Sequence, residues 1–200
     1  MTGGGFVETL DTTGIADISL GFAATGEGTL NITGAGSRVK GEDFIVGGSG
    51  TGHLTVSAGG VMDCTIGTTA DAFVGAAAGA SGDVTITGDN SVWNARDIRI
   101  GSAGTGTLDI EAGGKADASG QFIIGELATG SGTVTVTGSG ASADSLLEVG
   151  NRLTVGALGE GTLNVEAGAD VTVAENLYVG ISAASAFNHT VTVTGTSSTI

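Results

Sequence analysis

Proline is absent from this sequence, and cysteine, aromatic and basic residues are scarce. The single cysteine, Cys64, excludes a disulfide within the chain. Six Lys and Arg residues stand against 21 Asp and Glu residues, so the formal net charge is −15. A charge of this sign and size disfavours nucleic acids and anionic membrane surfaces as partners.

Long apolar runs are also absent. No stretch approaches the ~20 residues that a membrane-spanning helix needs, so we expect no membrane insertion by this segment. The first ten residues, MTGGGFVETL, lack the basic region followed by an apolar core that marks a signal peptide. If the protein is exported, we expect this chain to be an internal piece of it.

Glycine, in contrast, is abundant. It accounts for 39 of the 200 residues, far above the usual ~7%, but without the every-third-residue period of collagen. Hydrophobic residues make up 40% of the chain, more than a typical disordered sequence contains. The composition therefore indicates a folded, glycine-rich chain.

The stretch from Gly132 to Gly138 shows the pattern that the whole chain repeats. Threonines alternate with Val134 and Val136, so the valines lie on one face of a strand and the threonines on the other. Such a strand needs a surface against its valines and strand partners on both edges. Further copies of the same pattern can provide both.

Two phrases recur seven times each. The first is x-φ-x-φ-Gly, where φ is apolar, and it ends at Gly21, Gly47, Gly75, Gly101, Gly125, Gly156 and Gly180. The second centres on two apolar residues that flank a third residue, at Leu30/Ile32, Leu54/Val56, Val84/Ile86, Leu108/Ile110, Val134/Val136, Leu163/Val165 and Val191/Val193. A weaker third strand lies between them, and its expected inward residues are Met62/Cys64, Ala116/Ala118 and Val171/Val173 in some copies and Val39, Trp93, Ala143 and Ile200 in the others.

The copies alternate between two kinds, with GTLDIEAGG from Gly106 typical of one and GTVTVTGSGA from Gly132 typical of the other. Leu54 and Leu108 are 54 residues apart, and Leu108 and Leu163 are 55 apart, so the full unit is a pair of turns. Such a period with strand-type alternation indicates a solenoid or a propeller. Hairpin signals such as Asn-Gly, which a propeller blade needs, are missing between the phrases. The sequence therefore predicts an all-β parallel β-helix (β-solenoid) of about seven coils of roughly 24–30 residues.

The repeat also suggests domain boundaries. Residues 1–16 read as an irregular or partial N-terminal coil, and residues 17–200 as a single domain of β-helix repeats. The segment from Ser142 to Asn151 is the longest irregular piece, and we expect it to loop out. No polar cap follows the last copy, which predicts that the chain is a fragment of a longer array.

The repeat resembles a bacterial family found in autotransporter (type V secretion) passenger domains and in some PEP-CTERM-sorted surface proteins. The resemblance rests on units such as GTLDIEAGGKADASGQFIIGELATGSGTVTVTGSGA and covers nearly the whole chain from about Asp17. One copy, at Ser91-Val92-Trp93, keeps the tryptophan of the pattern. The resemblance implies a right-handed parallel β-helix passenger, exported and displayed at the bacterial cell surface, with an outer-membrane β-barrel translocator in the full-length protein if it is an autotransporter.

Carboxylates suggest an enzymatic alternative. Asp109 and Glu111 share the outward face of one strand, and β-helix polysaccharide hydrolases use clustered carboxylates as acid and base. The equivalent positions in other coils are threonine, serine, asparagine or glutamate, so no larger acid cluster forms. We therefore interpret the pair as part of a solvated polar face, and we predict no catalytic residue.

Other residue types also suggest sites without establishing one. The Thr85/Thr87, Thr135/Thr137 and Thr192/Thr194 pairs could form an ice-binding ladder, but acids or asparagine interrupt it in alternate coils.

His53 and His189 have no zinc-type spacing, and Cys64 aligns with core positions. The corners at Glu42-Asp43 and Asp89-Asn90 offer oxygen ligands for calcium, but the GGxGxDxUx calcium repeat is absent. We predict no metal and no cofactor.

One outward column is unusually apolar. It occupies the middle position of the x-φ-x-φ-Gly strand and consists of Ser19, Ile45, Phe73, Arg99, Ile123, Thr154 and Tyr178. An exposed apolar stripe can mark a binding surface. The prediction is a surface-contact stripe formed by Ile45, Phe73, Arg99, Ile123 and Tyr178; the alternatives are that a loop or neighbouring chain covers it, or that β-propensity alone explains it.

The sequence thus predicts a non-enzymatic structural or adhesin-type protein, located outside the cell or at the bacterial surface. Its expected partners are polysaccharides or proteins of a host or another surface. The alternatives are a carbohydrate-active β-helix enzyme or polysaccharide-binding module, and a threonine-rich ice-binding solenoid.

Overall fold

The computed structural model describes residues 4–8, 18–65, 70–138, 140–183 and 185–200. Within these ranges the chain forms strands and turns and no helix, and hence no helix that could cross a membrane. Twenty-one short strands form three parallel sheets of seven strands each. The chain is therefore a β-solenoid of about seven turns, which confirms the predicted fold class.

Each turn of the solenoid adds one strand to each sheet. Sheet A contains β1 (Phe6–Glu8), β4 (Arg38–Lys40), β7 (Val61–Cys64), β10 (Val92–Ala95), β13 (Lys115–Ala118), β16 (Leu146–Val149) and β19 (Asp170–Val173). Sheet B contains β2 (Ile18–Leu20), β5 (Phe44–Val46), β8 (Asp71–Val74), β11 (Asp97–Ile100), β14 (Phe122–Ile124), β17 (Arg152–Val155) and β20 (Asn176–Val179). Sheet C contains β3 (Glu27–Thr33), β6 (Thr51–Ser57), β9 (Ser81–Thr87), β12 (Thr105–Glu111), β15 (Ser131–Thr137), β18 (Glu160–Glu166) and β21 (Thr190–Thr194).

Like residues of successive coils lie directly above one another. Leu54 pairs with Val84, which pairs with Leu108, and the column continues through Val134 to Leu163. Alternate residues of each strand face the interior, so the apolar columns of the three sheets meet in one continuous core. The core is dominated by Leu, Ile and Val, with Phe44, Phe122 and Trp93 as its largest fully buried side chains.

Glycine permits the sharp corner between sheets B and C. Gly101 follows β11 with a φ of 68°, in the left-handed region where a side chain is strained. Gly106, in β12, lies against this corner, and a Cβ on it would be 2.6 Å from the carbonyl oxygen of Val74. Because the corner recurs in every coil, the glycine recurs as well.

The corner between sheets C and A explains why two kinds of coil alternate. One kind has an Ala-Gly turn, with Ala112 (φ 50°) and Gly113 (φ 85°) both left-handed. The other kind has a Ser turn, in which the hydroxyl of Ser91 donates to the carbonyl of Thr87 at 2.8 Å and accepts from the amide of Gly59 at 3.0 Å. The Ser91 turn therefore bonds to the Ala-Gly turn of the coil before it. Ser145 with Gly113 and Ser198 with Gly168 repeat the contact.

One part of the predicted third strand was wrong. Ala143 is exposed, and Leu147 occupies the inward position, paired with Ala116 and Val171. The stretch from Ser142 to Asn151 is not a loop throughout, because it contains β16. The reason is a longer turn: Ser91 closes its turn onto Gly88, whereas Ser145 closes the equivalent turn onto Gly138. These extra residues shift the strand downstream and bring Leu147, with its larger side chain, into the core.

The two ends of the predicted repeat region show less regular packing. β1 pairs with β4, so a strand lies inside the N-terminal segment that the sequence marked as irregular. Residues 1–3 and 9–16 of that segment lie outside the described residues. At the other end, Thr199 bridges to Asp170, and Ile200 is 45% exposed rather than buried.

Candidate functional site

The predicted stripe forms one column on the outer face of sheet B. Ile45 pairs with Phe73, Phe73 with Arg99, and Arg99 with Ile123. Thr154 follows, and Tyr178 comes after it. The strand register therefore places all the stripe residues in line, although their use in binding stays a prediction.

Arg99 divides the stripe with a network of charges. Its guanidinium lies 5.0 Å from the ring centre of Phe73, within the range of a cation–π interaction. The same group bonds Asp71 at 2.8 Å and Glu126 at 3.1 Å. Burial by itself would lower the pKa of Arg99, but these carboxylates raise it above its ordinary value. Arg99 is thus held in place between three successive coils.

The stripe residues are covered to different degrees. Ile45, Phe73 and Ile123 are half-buried, and Thr154 is only 1% exposed. Tyr178, at the far end, is 43% exposed, with the guanidinium of Arg152 at 6.0 Å from its ring centre. The column is therefore most open at Tyr178 itself and most closed at Thr154, the residue beside it.

An open groove of about 520 Å³ runs beside this end of the stripe. Ile123, Arg152 and Thr154 of sheet B contribute to it. Its other lining residues come from the links that follow the sheet B strands, chiefly Leu127, Leu158 and Ile181. The volume lies within the ~300–1,000 Å³ of small-molecule sites.

Stacked links form the rim of the groove. The amide of Leu127 donates to the carbonyl of Ser102 at 2.8 Å, and that of Leu158 to Glu126 at 3.1 Å. Leu127, Leu158 and Ile181 are 46%, 38% and 51% exposed. This groove was not predicted, although the sequence contains a signal for it. Leu127 and Leu158 stand two residues after the glycine of the first phrase, where Ser49, Ala77 and Ala103 stand in earlier coils.

The paired carboxylates lie elsewhere, on the outer face of sheet C. Asp109 pairs with Thr85 and Thr135, and Glu111 with Thr87 and Thr137. Partial burial raises the pKa of Asp109, and the charge of Glu111 adds to this effect. Neither carboxylate lines the groove beside sheet B. Asp109 and Glu111 therefore interrupt the two threonine columns of sheet C.

The two histidines have local partners. Nδ1 of His53 lies 3.2 Å from a carboxylate oxygen of Asp83 on the next coil. Nε2 of His189 lies 3.0 Å from the hydroxyl of Ser185. His53 lies within β6, in register with Asp83, and His189 lies in the link before β21, so each histidine contacts a near neighbour.

Cys64 and the acidic corners were also singled out by the sequence. Cys64 is fully buried, and burial raises the pKa of its thiol. Asp43 of the first corner accepts from the amide of Asp71 at 2.9 Å, and Asn90 of the second has a φ of 64°. In the ranges that the structure describes, no three His, Cys, Asp or Glu residues are grouped to hold a metal ion.

Comparison with known proteins places the chain near one distant relative. No protein-family profile and no solved structure matches it. Over 112 residues it is 37% identical to an uncharacterized lipoprotein, YdeK, of Escherichia coli strain K12. The match covers 54% of this chain and 8% of that lipoprotein. The chain therefore spans a small part of the length of the curated relative that it matches.

Proposed function

We propose that this chain is part of a non-enzymatic structural protein of adhesin type, secreted or displayed at a bacterial cell surface. The solenoid is the rigid scaffold, and the outer face of sheet B is the contact surface. Weak contacts repeated along a rigid column add to one another when several engage at once. The partners would be polysaccharides or proteins of an opposing surface.

The alignment of the stripe carries this proposal. Strand register places its residues coil above coil from Ile45 to Tyr178, with the charged Arg99 in the middle and the buried Thr154 before Tyr178. The column therefore offers contact points at multiples of the ~4.8 Å spacing of paired strands. The name of the Escherichia coli relative, a lipoprotein, supports a membrane-anchored parent protein at a cell surface. Export as an autotransporter or PEP-CTERM passenger is the more specific form of the proposal.

A binding assay on the purified chain tests the proposal. Beads coated with the chain are presented to bacterial cells, to epithelial cells and to immobilised polysaccharides. We expect the double variant Phe73→Ser with Tyr178→Ser to lower bead adhesion at least severalfold, because it removes two of the largest side chains of the stripe.

The control carries Thr85→Ser and Thr135→Ser on the outer face of sheet C. Circular dichroism melts of both variants confirm that the solenoid remains folded. Equal adhesion of the stripe variant and the wild-type chain, or equal loss in both variants, would remove the stripe as the contact surface.

A further inference from the structure

Arg152 differs from the other basic residues of this acidic chain. The other five each pair with a carboxylate, and they are Arg38, Lys40, Arg96, Arg99 and Lys115. Among the described residues no carboxylate forms an ion pair with Arg152, whose Nη2 donates instead to Oε1 of Gln121 at 2.5 Å. A guanidinium stays charged throughout the physiological pH range. Glu126 also lines the groove, but its carboxylate accepts from Nε of Arg99 at 3.1 Å and from the hydroxyl of Ser102 at 2.6 Å. The guanidinium of Arg152 is therefore a charge in the groove that no described carboxylate pairs with.

The column that contains Arg152 changes its chemistry along the solenoid. In the middle coils it consists of Asp71 paired with Asp97, the two carboxylates that face Arg99. Further along the column, Gln121 stands one coil before Arg152, and Asn176 pairs with Arg152 one coil after it. Amides thus replace carboxylates on both sides of Arg152, which accounts for the lack of an ion pair within its own column.

Two buried polar atoms at this place have no hydrogen-bond partner among the described residues. They are Nε of Arg152 and Oγ1 of Thr154. The two residues are two positions apart on β17, so their side chains leave the sheet on the same face. Buried donors without acceptors are rare and costly, and they call for an explanation. A single acceptor group placed between them would satisfy both.

The surroundings define what such an acceptor would be attached to. Leu127, Leu158 and Ile181 form an exposed apolar rim, and Ile123 contributes to the same groove. Apolar surface of this kind gains free energy when it is covered. Carboxylates and phosphates both match the planar donor pattern of arginine. A carboxylate is the smaller of the two and carries a single charge, which suits donors that are shielded from bulk water and a groove that Glu126 also lines.

We propose that this groove binds an aliphatic carboxylate, an unbranched fatty-acid type anion with its carboxylate on Arg152 and Thr154 and its chain along the rim. Arg152 donates through Nε, and Thr154 donates through its hydroxyl. The occupant enters by parting the rim side chains, because both donors are shielded from bulk water. The proposal goes beyond the proposed function, since it requires no contact with another cell.

Three probes test the carboxylate and the alkyl chain separately: sodium octanoate has both, 1-octanol lacks the carboxylate, and sodium acetate lacks the long chain. Each is titrated into isotopically labelled protein, and backbone amide shifts are followed by NMR. We expect octanoate to shift the amides of residues 123–127, 152–158 and 181–183 saturably. Octanol and acetate, which each lack one half of the ligand, should bind at least about tenfold more weakly.

Two variants assign the contacts. Arg152→Gln should weaken octanoate binding about tenfold or more, because it removes a charge-assisted interaction. Thr154→Val keeps the side-chain shape and removes the unpartnered hydroxyl, so it should weaken octanoate binding without lowering stability. Lys40→Gln, which removes the same charge far from the groove, should leave octanoate binding unchanged.

Several outcomes would overturn the proposal. They are the absence of saturable octanoate binding, equal affinity for octanol, and unchanged octanoate affinity in both Arg152→Gln and Thr154→Val. Tighter binding of a peptide that ends in leucine than of octanoate would overturn the choice of a fatty acid. None of these outcomes bears on the bead adhesion of the Phe73 and Tyr178 variant, so the two proposals can fail separately.

Discussion

Individual charged residues connect the coils of this solenoid. Asp63 is almost fully buried, yet it is ionised between Arg38 of the preceding coil and the hydroxyl of Thr65. Burial alone would raise the pKa of Asp63, but these two hydrogen bonds and the nearby positive charges hold it below its ordinary value. The carboxylate therefore stabilises the fold only while it is charged.

Asn in place of Asp63 tests this role and its pH dependence. Because the pKa of Asp63 is lower in the folded chain, its contribution is complete above pH ~4 and is lost as the pH falls through the folded pKa. We expect Asp63→Asn to lower the free energy of unfolding by about 1–3 kcal/mol at pH 7. The deficit should shrink below pH ~4, measured by urea unfolding at a series of pH values. Asp144→Asn, at an exposed turn, is the control. A deficit of Asp63→Asn that stays constant as the pH falls below ~4 would contradict the explanation.

Residue-level contacts of this kind were only partly predictable. Alignment of the repeats predicts that Leu54 and Leu108 share a column, because strand register follows from the alternating pattern. It does not predict that Arg38 reaches Asp63 or that Arg152 reaches no carboxylate, because these contacts depend on side-chain rotamers and on the exact corner geometry. The stripe could therefore be read from the sequence, whereas the groove beside it was signalled only by Leu127 and Leu158, and how their links stack depends on the corner geometry.

At the scale of the element, the corner between sheets C and A sets the alternation of the coils. A buried serine hydroxyl satisfies one carbonyl of its own turn and one amide of the preceding turn. Ala58, Ala112 and Ala167, in the other kind of turn, all have φ values of 50–54°. A non-glycine residue in this region is unusual, which shows how strongly the neighbouring turns constrain the backbone.

Removal of one serine hydroxyl tests the contact between turns. We expect Ser91→Ala to lower the free energy of unfolding by about 1–3 kcal/mol, because it leaves the Thr87 carbonyl and the Gly59 amide without their buried partner. The amide of Gly59 should also exchange faster with deuterium. Ser37→Ala is the matched control, since Ser37 lies at a more exposed turn and makes one bond, to Thr33. Similar losses in both variants would argue against a specific role for the buried bridge.

The same element accounts for the sequence error at Ala143. Counting residues from Gly132 placed Ala143 where Trp93 stands in an earlier coil. The serine that closes the turn is Ser145, however, so the turn is longer and the strand begins later. Strand phrases could be predicted because their period is regular, but a turn can lengthen without changing either strand that it joins.

At the scale of the whole molecule, stability is close to a sum over neighbouring coils. Central strands such as β12 are paired on both sides, whereas β1 and β21 are paired on one. Apolar side chains are correspondingly exposed at the two ends of the structure, as at Phe6 and Val193. The solenoid should therefore open from its ends rather than all at once.

Hydrogen exchange measured by NMR on the isolated chain tests this view. We expect the slowest exchange in β9, β12 and β15, and protection at least about tenfold lower in β20 and β21. Protection should fall with distance from the central coil. Sequence composition should have little effect, because the strand phrases are nearly the same in every coil. Uniform protection of all coils would instead indicate a single cooperative unit.

The bond between unlike turns also restricts how such a protein can change in length during evolution. Removal of one coil with a Ser turn would leave two Ala-Gly turns adjacent, and the glycine amide that now meets a serine hydroxyl would have no acceptor. Removal of one coil with an Ala-Gly turn would instead leave two Ser turns adjacent, and a serine hydroxyl would lose its amide donor. Duplication or loss of two coils together, the 54- or 55-residue unit, preserves every such bond. Homologues that differ in length should accordingly differ by even numbers of coils.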